Sequence, residues 1–330
     1  MITLLTRPII PFKLREIKYF CLSQLNCFRG LPPRSLPAYG GHPAVTRSIC
    51  EGFRKLGVEF NLDPQRLAEV GETVVCLADP RSLAQAIGWK KRRKIQKLFA
   101  GYTIFGSALD HDRMAMSSEL DGYLCFSGWH LTSFDLACPD FKEKAFVAPF
   151  GVDAADWTTA PDIRRPKRVL FYKKRAPHFL YNRCLQLVKE RGYEVEEIVY
   201  GNYSLSDYRD SLQRASILVN WVDHETQGIS MAEAWASDVP TLVWNPGFVF
   251  QVVHGRNYVF DCSSSPYLSD STGRFFRESD DLLRLLDDFS AGELRFSPRD
   301  WLLKNLTDKI CAERLHSILT ASASAITSHQ

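Results

Sequence analysis

Short apolar runs alternate with amphipathic stretches along nearly the whole 330-residue chain. Ile2 to Leu5 predicts a short strand. A Pro-rich loop (31–43) leads into a helical stretch from about Val45 to Leu56, with Gly57 where a helix cap belongs. TVVCLA (73–78) predicts a buried strand; a helical stretch runs on to Phe99, and YTIFGS (102–107) follows. DGYLCFS (121–127) and AFVAPFGVD (145–153) predict two more strands, the second ending in a Gly turn. Residues 156–167, rich in Pro, Thr and charge, read as a linker.

A second series begins with a strand at RVLFY (168–172). Leu180, Cys184, Leu187 and Val188 share one helical face, so 178–191 predicts an amphipathic helix closed by Gly192. EVEEIVY (194–200) is the next strand, and Tyr208, Leu212 and Ala215 mark a helix that Ser204 or Ser206 would cap. SILVNW (216–221) is continuously apolar, the pattern of a strand buried on both faces. A helix over 229–236, strands at TLVW (241–244) and YVF (258–260), a polar loop over 262–276 and an amphipathic helix over 298–320 complete the series.

Alternation of this kind predicts parallel α/β structure. The economical reading is two doubly wound Rossmann-like domains facing a cleft. The first would span 1–155 and the second 156–330, with the C-terminal helix, about 312–330, free to pack back on the first. Ligands bind beyond the carboxyl ends of the strands in such sheets, so the cleft is the natural active site.

Composition narrows the classes. Hydrophobic residues are 45% and charged residues 24%, as in soluble globular proteins, which excludes a disordered or collagen-like chain. No apolar run is long enough for a membrane span, and the N-terminus lacks a signal-peptide pattern. The nine cysteines are odd in number, scattered, and never spaced C-x-x-C. They read as reduced, buried residues of a cytoplasmic protein, without a zinc site. The net charge of +3 is uneven: residues 1–150 are basic and 151–330 slightly acidic. WKKRRKIQK (89–97) reads as a basic helical stretch, either a solvated face or a peripheral contact with the inner face of a membrane. Interleaved aromatics are few there, and nucleic acid is not expected.

The chemistry concentrates in residues 219–246, which read as strand, polar loop, glycine, short helix, turn, strand. Glu225 lies in the loop and Glu233 eight residues on in the helix. Gly228 permits close backbone approach, and the N–H groups at 228–230 open a helix, a geometry that binds anions such as a diphosphate. A helical carboxylate can accept from a ribose diol, and a loop carboxylate can meet sugar hydroxyls. Spacing alone is weak, since a solvated helix face with a loop charge has the same pattern.

In context, the segment resembles the donor-binding region of GT-B group 1 retaining glycosyltransferases, with a pattern near E-x-x-G-x-x-x-x-E-A-x-A-x-x-x-P. AFVAPFGVD (145–153) resembles that family's interdomain turn, and LSDYRDSLQRASILVNW (205–221) the helix and strand before its donor loop. RVLFYKKR (168–175) sits where the family has a strand followed by basic residues. GGHPAVTRSICEGFRKLGVEF (40–60) resembles its N-terminal glycine loop and first helix. The resemblance implies sugar transfer from a nucleotide-diphosphate sugar with retention, without a metal or other cofactor. It implies Glu233 on the nucleotide ribose and Glu225 on the donor sugar. Gln227, Gly228 and Ile229 would offer backbone to sugar and phosphates, with His224 beside them. Lys173, Lys174 or Arg175 would neutralise the diphosphate. Gly40 and Gly41, followed by His42, would let the N-terminal loop approach the reacting centre. Two departures stand out: the basic residues are consecutive, so their register is open, and Asp238 replaces a frequent Gly before V-P. The acceptor would be a glycan, a lipid-linked or a small molecule, in surface glycan or glycoconjugate assembly. The alternatives are a non-catalytic nucleotide- or glycan-binding protein and a nucleotide-sugar epimerase on the same fold.

Overall fold

In a computed structural model of the chain, the described residues are 1–9, 41–158, 167–175 and 178–321; the side chains of Gly41, His42, Arg175 and His178 lie outside the description. Contact density divides the chain into two compact units. The first comprises Met1–Cys125, Phe134–Phe146 and Leu315–Gln330; the second comprises Phe126–Ser133 and Val147–Arg314.

The first unit is built on β1 (Ile2–Leu5), α1 (Gly41–Leu56), β2 (Phe60–Leu62), β3 (Thr73–Cys76), α2 (Pro80–Lys91), β4 (Lys97–Gly101) and β5 (Gly122–Cys125). After α3 (Gly128–Ala137), β6 (Ala145–Val147) completes a sheet of order β2-β1-β3-β4-β5-β6. Its first four pairings are parallel. Leu4, Val74, Val75, Leu98, Phe99 and Leu124 are fully buried, as expected where helices cover both faces.

Two expectations fail here for local reasons. The helical stretch does not reach Phe99: α2 stops at Lys91, and 97–101 is a core strand. Arg93 turns left-handed (φ 55°), Arg93 N–H donates to Lys90 O and Lys94 N–H to Trp89 O, closing the helix as a Gly normally would. With an arginine at that position, the stop left no mark in the sequence. The predicted strand 145–153 shortens to β6, because the following residues turn to pack elsewhere.

The second unit holds β7 (Arg168–Arg175), α4 (His178–Glu190), β8 (Glu194–Val199), α5 (Leu205–Arg214), β9 (Ile217–Val222), α6 (Ile229–Ala236) and β10 (Thr241–Trp244). A hairpin of β11 (Phe248–Val253) and β12 (Arg256–Asp261) precedes β13 (Gly273–Phe276), α7 (Ser279–Ser290), α8 (Pro298–Asn305) and α9 (Asp308–Thr320). The sheet order is β13-β10-β9-β7-β8, all parallel. Period-2 alternation feeds two cores. Leu170, Tyr172, Leu218 and Val243 face α5, α6 and α8, while Val169, Phe171, Ile217, Val219, Trp221, Leu242 and Trp244 face α4 and α7. Ser204 caps α5 in a reciprocal box with Asp207. Trp221 and Trp244 stack at 4.9 Å inside the second core.

The helix predicted over 298–320 is two helices. Val152 bridges to Thr307 at the break, with Val152 N–H donating to Leu306 O and Asp308 N–H to Val152 O. Gly151 makes this possible, since a Cβ there would stand 2.2 Å from the Thr307 carbonyl carbon. The hairpin was only half legible, as YVF (258–260), and β13 emerges at the end of the predicted polar loop. Asp238, in place of the familiar Gly, is left-handed (φ 58°) directly after α6. Val239 N–H reaches back to Ala234 O and Asp238 N–H to Trp235 O, the closure in which Gly is usual and Asp tolerated.

Candidate functional site

Counted from β7, the second unit's sheet has the doubly wound order 2-1-3-4-5, which reverses between β7 and β9. Loops leaving those two strands diverge, and the gap between them is where such sheets bind ligands. Lys174 lies near the end of β7, and Glu225 follows the end of β9.

The pair meets at this point. Lys174 Nζ donates to Glu225 Oε1 at 2.5 Å, with the side chains 17% and 13% exposed. The ammonium also lies 4.8 Å from the Tyr200 ring centre. Lys173 goes the other way: its ammonium sits 4.3 Å over the ring of Tyr181, a core residue of α4. Strand parity separates the two lysines, and the register shifts between Lys173 and Arg175, a bulge of the kind found where strands end at functional sites. Of the two lysines, Lys174 is the one that shares a face with the glutamate loop. The Arg175 side chain lies outside the described residues.

The loop is held from several sides. Glu225 N–H donates to Ser263 O at 3.0 Å, and its carbonyl accepts from Trp129 Nε1 at 2.9 Å. Ser264 Oγ donates to the carbonyls of Val222 and Asp223. His224 lies with Nδ1 3.0 Å from Asp223 Oδ1 and packs edge-on to Trp129. Burial would push the Asp223 carboxyl up, but the hydrogen bonds and charge of His224 outweigh it and hold it below its usual value. Gln227 is buried and closes on the Phe150 backbone, accepting from its N–H at 3.0 Å and donating to its carbonyl. Gly228 is left-handed (φ 87°) and caps α6, which Ile229 opens. Tyr208 OH donates to Ser230 O at 2.7 Å and pins this first turn.

Glu233 is buried at 2% exposure in the middle of α6. Tyr172 OH and Tyr203 OH are 3.0 Å apart on the same side of the sheet. Burial pushes the Tyr203 hydroxyl up to about 12, opposed by the Tyr172 hydrogen bond and reinforced by the negative charges of Glu233 and Glu225. Burial drives the Tyr172 hydroxyl higher still. Both are neutral donor–acceptor groups at any ordinary pH.

The structure therefore brings Lys174, His224, Glu225, Gln227, Gly228 and Ile229 together and leaves Lys173 on the opposite face. Gly40 lies outside the described residues, and Gly41 and His42 open α1. His111 and Asp112 belong to the first unit, in a run of three left-handed residues with Arg113. Trp129, His130, Tyr172 and Tyr203 had no sequence signal as site residues. Trp129 stands 96 positions from its partner Glu225, and only the fold joins them. His130 is buried behind it, with Nδ1 accepting from Phe126 N–H at 3.2 Å, and burial lowers its imidazole to about 4.

No family model matches the chain, and no curated protein matches it by sequence. Solved structures do. An alpha-glucosyltransferase in complex with UDP-glucose and DNA containing an abasic site aligns with TM-score 0.57 at 8% identity, over 97% of this chain and 99% of that one. The apo lipopolysaccharide outer core galactosyltransferase WaaB gives 0.56 at 12% identity, over 96% and 98%. WaaG, a glycosyltransferase involved in lipopolysaccharide biosynthesis, gives 0.51 at 10%, over 98% and 100%. The chain has the GT-B fold. At these identities the likeness concerns the fold, two Rossmann-like units of parallel sheet, and the GT-B resemblance read from residues 145–246 agrees with it. Among the described residues no helix is long and apolar enough to cross a membrane.

Proposed function

We propose that this GT-B chain is a glycosyltransferase that moves a sugar from a nucleotide-diphosphate sugar to an acceptor, with retention at the anomeric carbon. The observation that carries the reading is the Lys174–Glu225 pair at the β7/β9 reversal, beside the N-terminus of α6. Departure of a nucleoside diphosphate builds negative charge on phosphate oxygens. A fixed ammonium and a helix N-terminus facing that charge stabilise it without reorganising. Lys174 would exchange Glu225 for the diphosphate as the donor binds, and Glu225 would turn to the sugar hydroxyls. Gly228 and Ile229 would present backbone N–H groups, and His224 would orient the loop. Glu233 would meet the ribose once the covering side chains move aside. The charge balance of this scheme calls for no metal, and front-face attack calls for no protein nucleophile. A glycan, a lipid-linked or a small-molecule acceptor all suit it, as does a role in glycoconjugate assembly.

The test is a thermal-shift screen against UDP-, GDP-, ADP- and dTDP-sugars and the free diphosphates, followed by detection of nucleoside diphosphate release. A ligand at a hundredfold excess over its dissociation constant adds about 2.7 kcal/mol of stability. A shift with one nucleotide class, abolished in Glu233→Ala, is the expected result. Absence of any shift, together with no release across an acceptor panel, would overturn the reading.

A further inference from the structure

Gln227 is 3% exposed, and both ends of its amide meet one residue. Its Oε1 accepts from Phe150 N–H at 3.0 Å, and its Nε2 donates to the Phe150 carbonyl. The side chain thereby reproduces the hydrogen-bond pair that a neighbouring strand would make. The match is specific to an amide. A carboxylate would set an oxygen against the Phe150 carbonyl, and a thioether has no hydrogen to donate. Both partners are buried, so a bond lost here is not made good by water.

Phe150 belongs to a segment that is held along its length. Its ring packs edge-on to Phe126 at 5.6 Å, and the next two residues seat on 306–308. Further on, the Arg299 guanidinium donates to the carbonyls of Ala154 at 3.1 Å and Trp157 at 2.7 Å, and to Ala236 O at the end of α6. Segment 150–157 is therefore joined to α6 at both ends, through Gln227 before the first turn and through Arg299 at the last. Gln227 also stands between two other anchors. Ser263 and Trp129 hold Glu225 upstream, and Tyr208 holds Ser230 downstream. Between them the chain turns left-handed at Gly228, a residue with no Cβ to limit its φ. The direction of the N–H groups at 228 and 229 thus depends on the bond made one residue earlier.

We propose that Gln227 is a positioning residue. By pairing with the Phe150 peptide, its side chain anchors the glutamate loop and the first turn of α6 on segment 150–157. The anchor sets the direction of Glu225 and of the Gly228 and Ile229 N–H groups. Its consequence for donor binding rests on the function proposed above; the anchoring itself does not.

Two variants of the full chain test this. Gln227→Met keeps the length of the side chain and removes both hydrogen bonds, and Gln227→Glu exchanges the amide nitrogen for oxygen. Hydrogen exchange read by mass spectrometry, without ligand, should run about tenfold or more faster in peptides covering 148–153 and 223–231 of both variants. Peptides from β7, β9 and α4 should keep wild-type rates. Calorimetry with the free nucleoside diphosphate that gives the largest thermal shift in the wild type should show about tenfold weaker binding, as when the competent loop falls to about one tenth of the molecules. The control is Tyr193→Phe, which removes bonds to Leu286 O and Ser290 and lowers stability away from the loop. It should leave the affinity and the exchange of 223–231 at wild-type values. Unchanged exchange at 223–231 in both Gln227 variants overturns the proposal. So does acceleration spread evenly over the second unit, or wild-type affinity despite a loosened loop. A wild type that binds no nucleoside diphosphate refutes the proposed function instead, and the exchange rates then decide the anchoring by themselves.

Discussion

The separation of Lys173 from Lys174 gives the sharpest test of the site. The two are adjacent in sequence and chemically identical, and only strand parity distinguishes them. If Lys174 meets the donor diphosphate, Lys174→Ala removes a charge-assisted hydrogen bond of about 1.5–3 kcal/mol, weakening nucleoside diphosphate binding roughly 10- to 150-fold. Lys173→Ala removes the contact with Tyr181 of α4, about 0.5–1 kcal/mol of fold stability, and should leave nucleotide affinity within about twofold. Glu225 adds a prediction of opposite sign. Its carboxylate pairs with Lys174 and repels an incoming diphosphate. At an effective dielectric of about 20, a unit charge roughly 8 Å away contributes about 2 kcal/mol before screening. Glu225→Gln should therefore tighten the free nucleoside diphosphate by roughly fivefold while lowering sugar transfer. The assay is calorimetry with whichever free diphosphate gives the largest thermal shift, so that sugar contacts do not enter. Equal losses in Lys173→Ala and Lys174→Ala, or weaker binding in Glu225→Gln, would refute the assignment.

Two other predictions concern the fold around the site. His130 is held neutral, with its imidazole lowered from 6.5 to about 4 by burial. The unfolded chain takes up that proton first, so the stability His130 contributes is complete above pH 6.5 and is lost as pH falls toward 4; by pH 5 the loss is about 2 kcal/mol. Urea unfolding at pH 7 and pH 5 should show that extra loss in the wild type and not in His130→Asn; equal pH dependence would disprove it. Gly151→Ala should cost about 2–3 kcal/mol by forcing the chain off Thr307, or roughly 3–4 °C of melting temperature for a chain of this length; an unchanged melting curve would mean that the turn does not seat there.

Much of the second unit could be read from the chain because its determinants are local. The apolar run of β9, the i, i+4 stripe of α4, the Ser204 cap and the TLVW strand each carry their own signal, and α6 forms over the residues the pattern indicated. The E-x7-E segment was legible for the same reason, being one contiguous loop and helix. Non-local features were silent. The left-handed Arg93 that stops α2 uses a residue type that rarely marks a stop. The break between α8 and α9 comes from a glycine about 150 positions earlier in the chain seating on Thr307. The approach of Trp129 to Glu225 had no sequence periodicity to announce it.

The sequence by itself determined the class of fold and the strand, loop and helix of residues 217–236, because burial periodicity and loop composition are properties of neighbouring residues. Which lysine shares a face with Glu225 was a tertiary decision. It depends on where β7 enters the sheet, on the bulge at its end and on the strand order that places β9 beside it. A one-residue shift in that register would exchange the two lysines between faces, and nothing within KKR itself selects one register over the other.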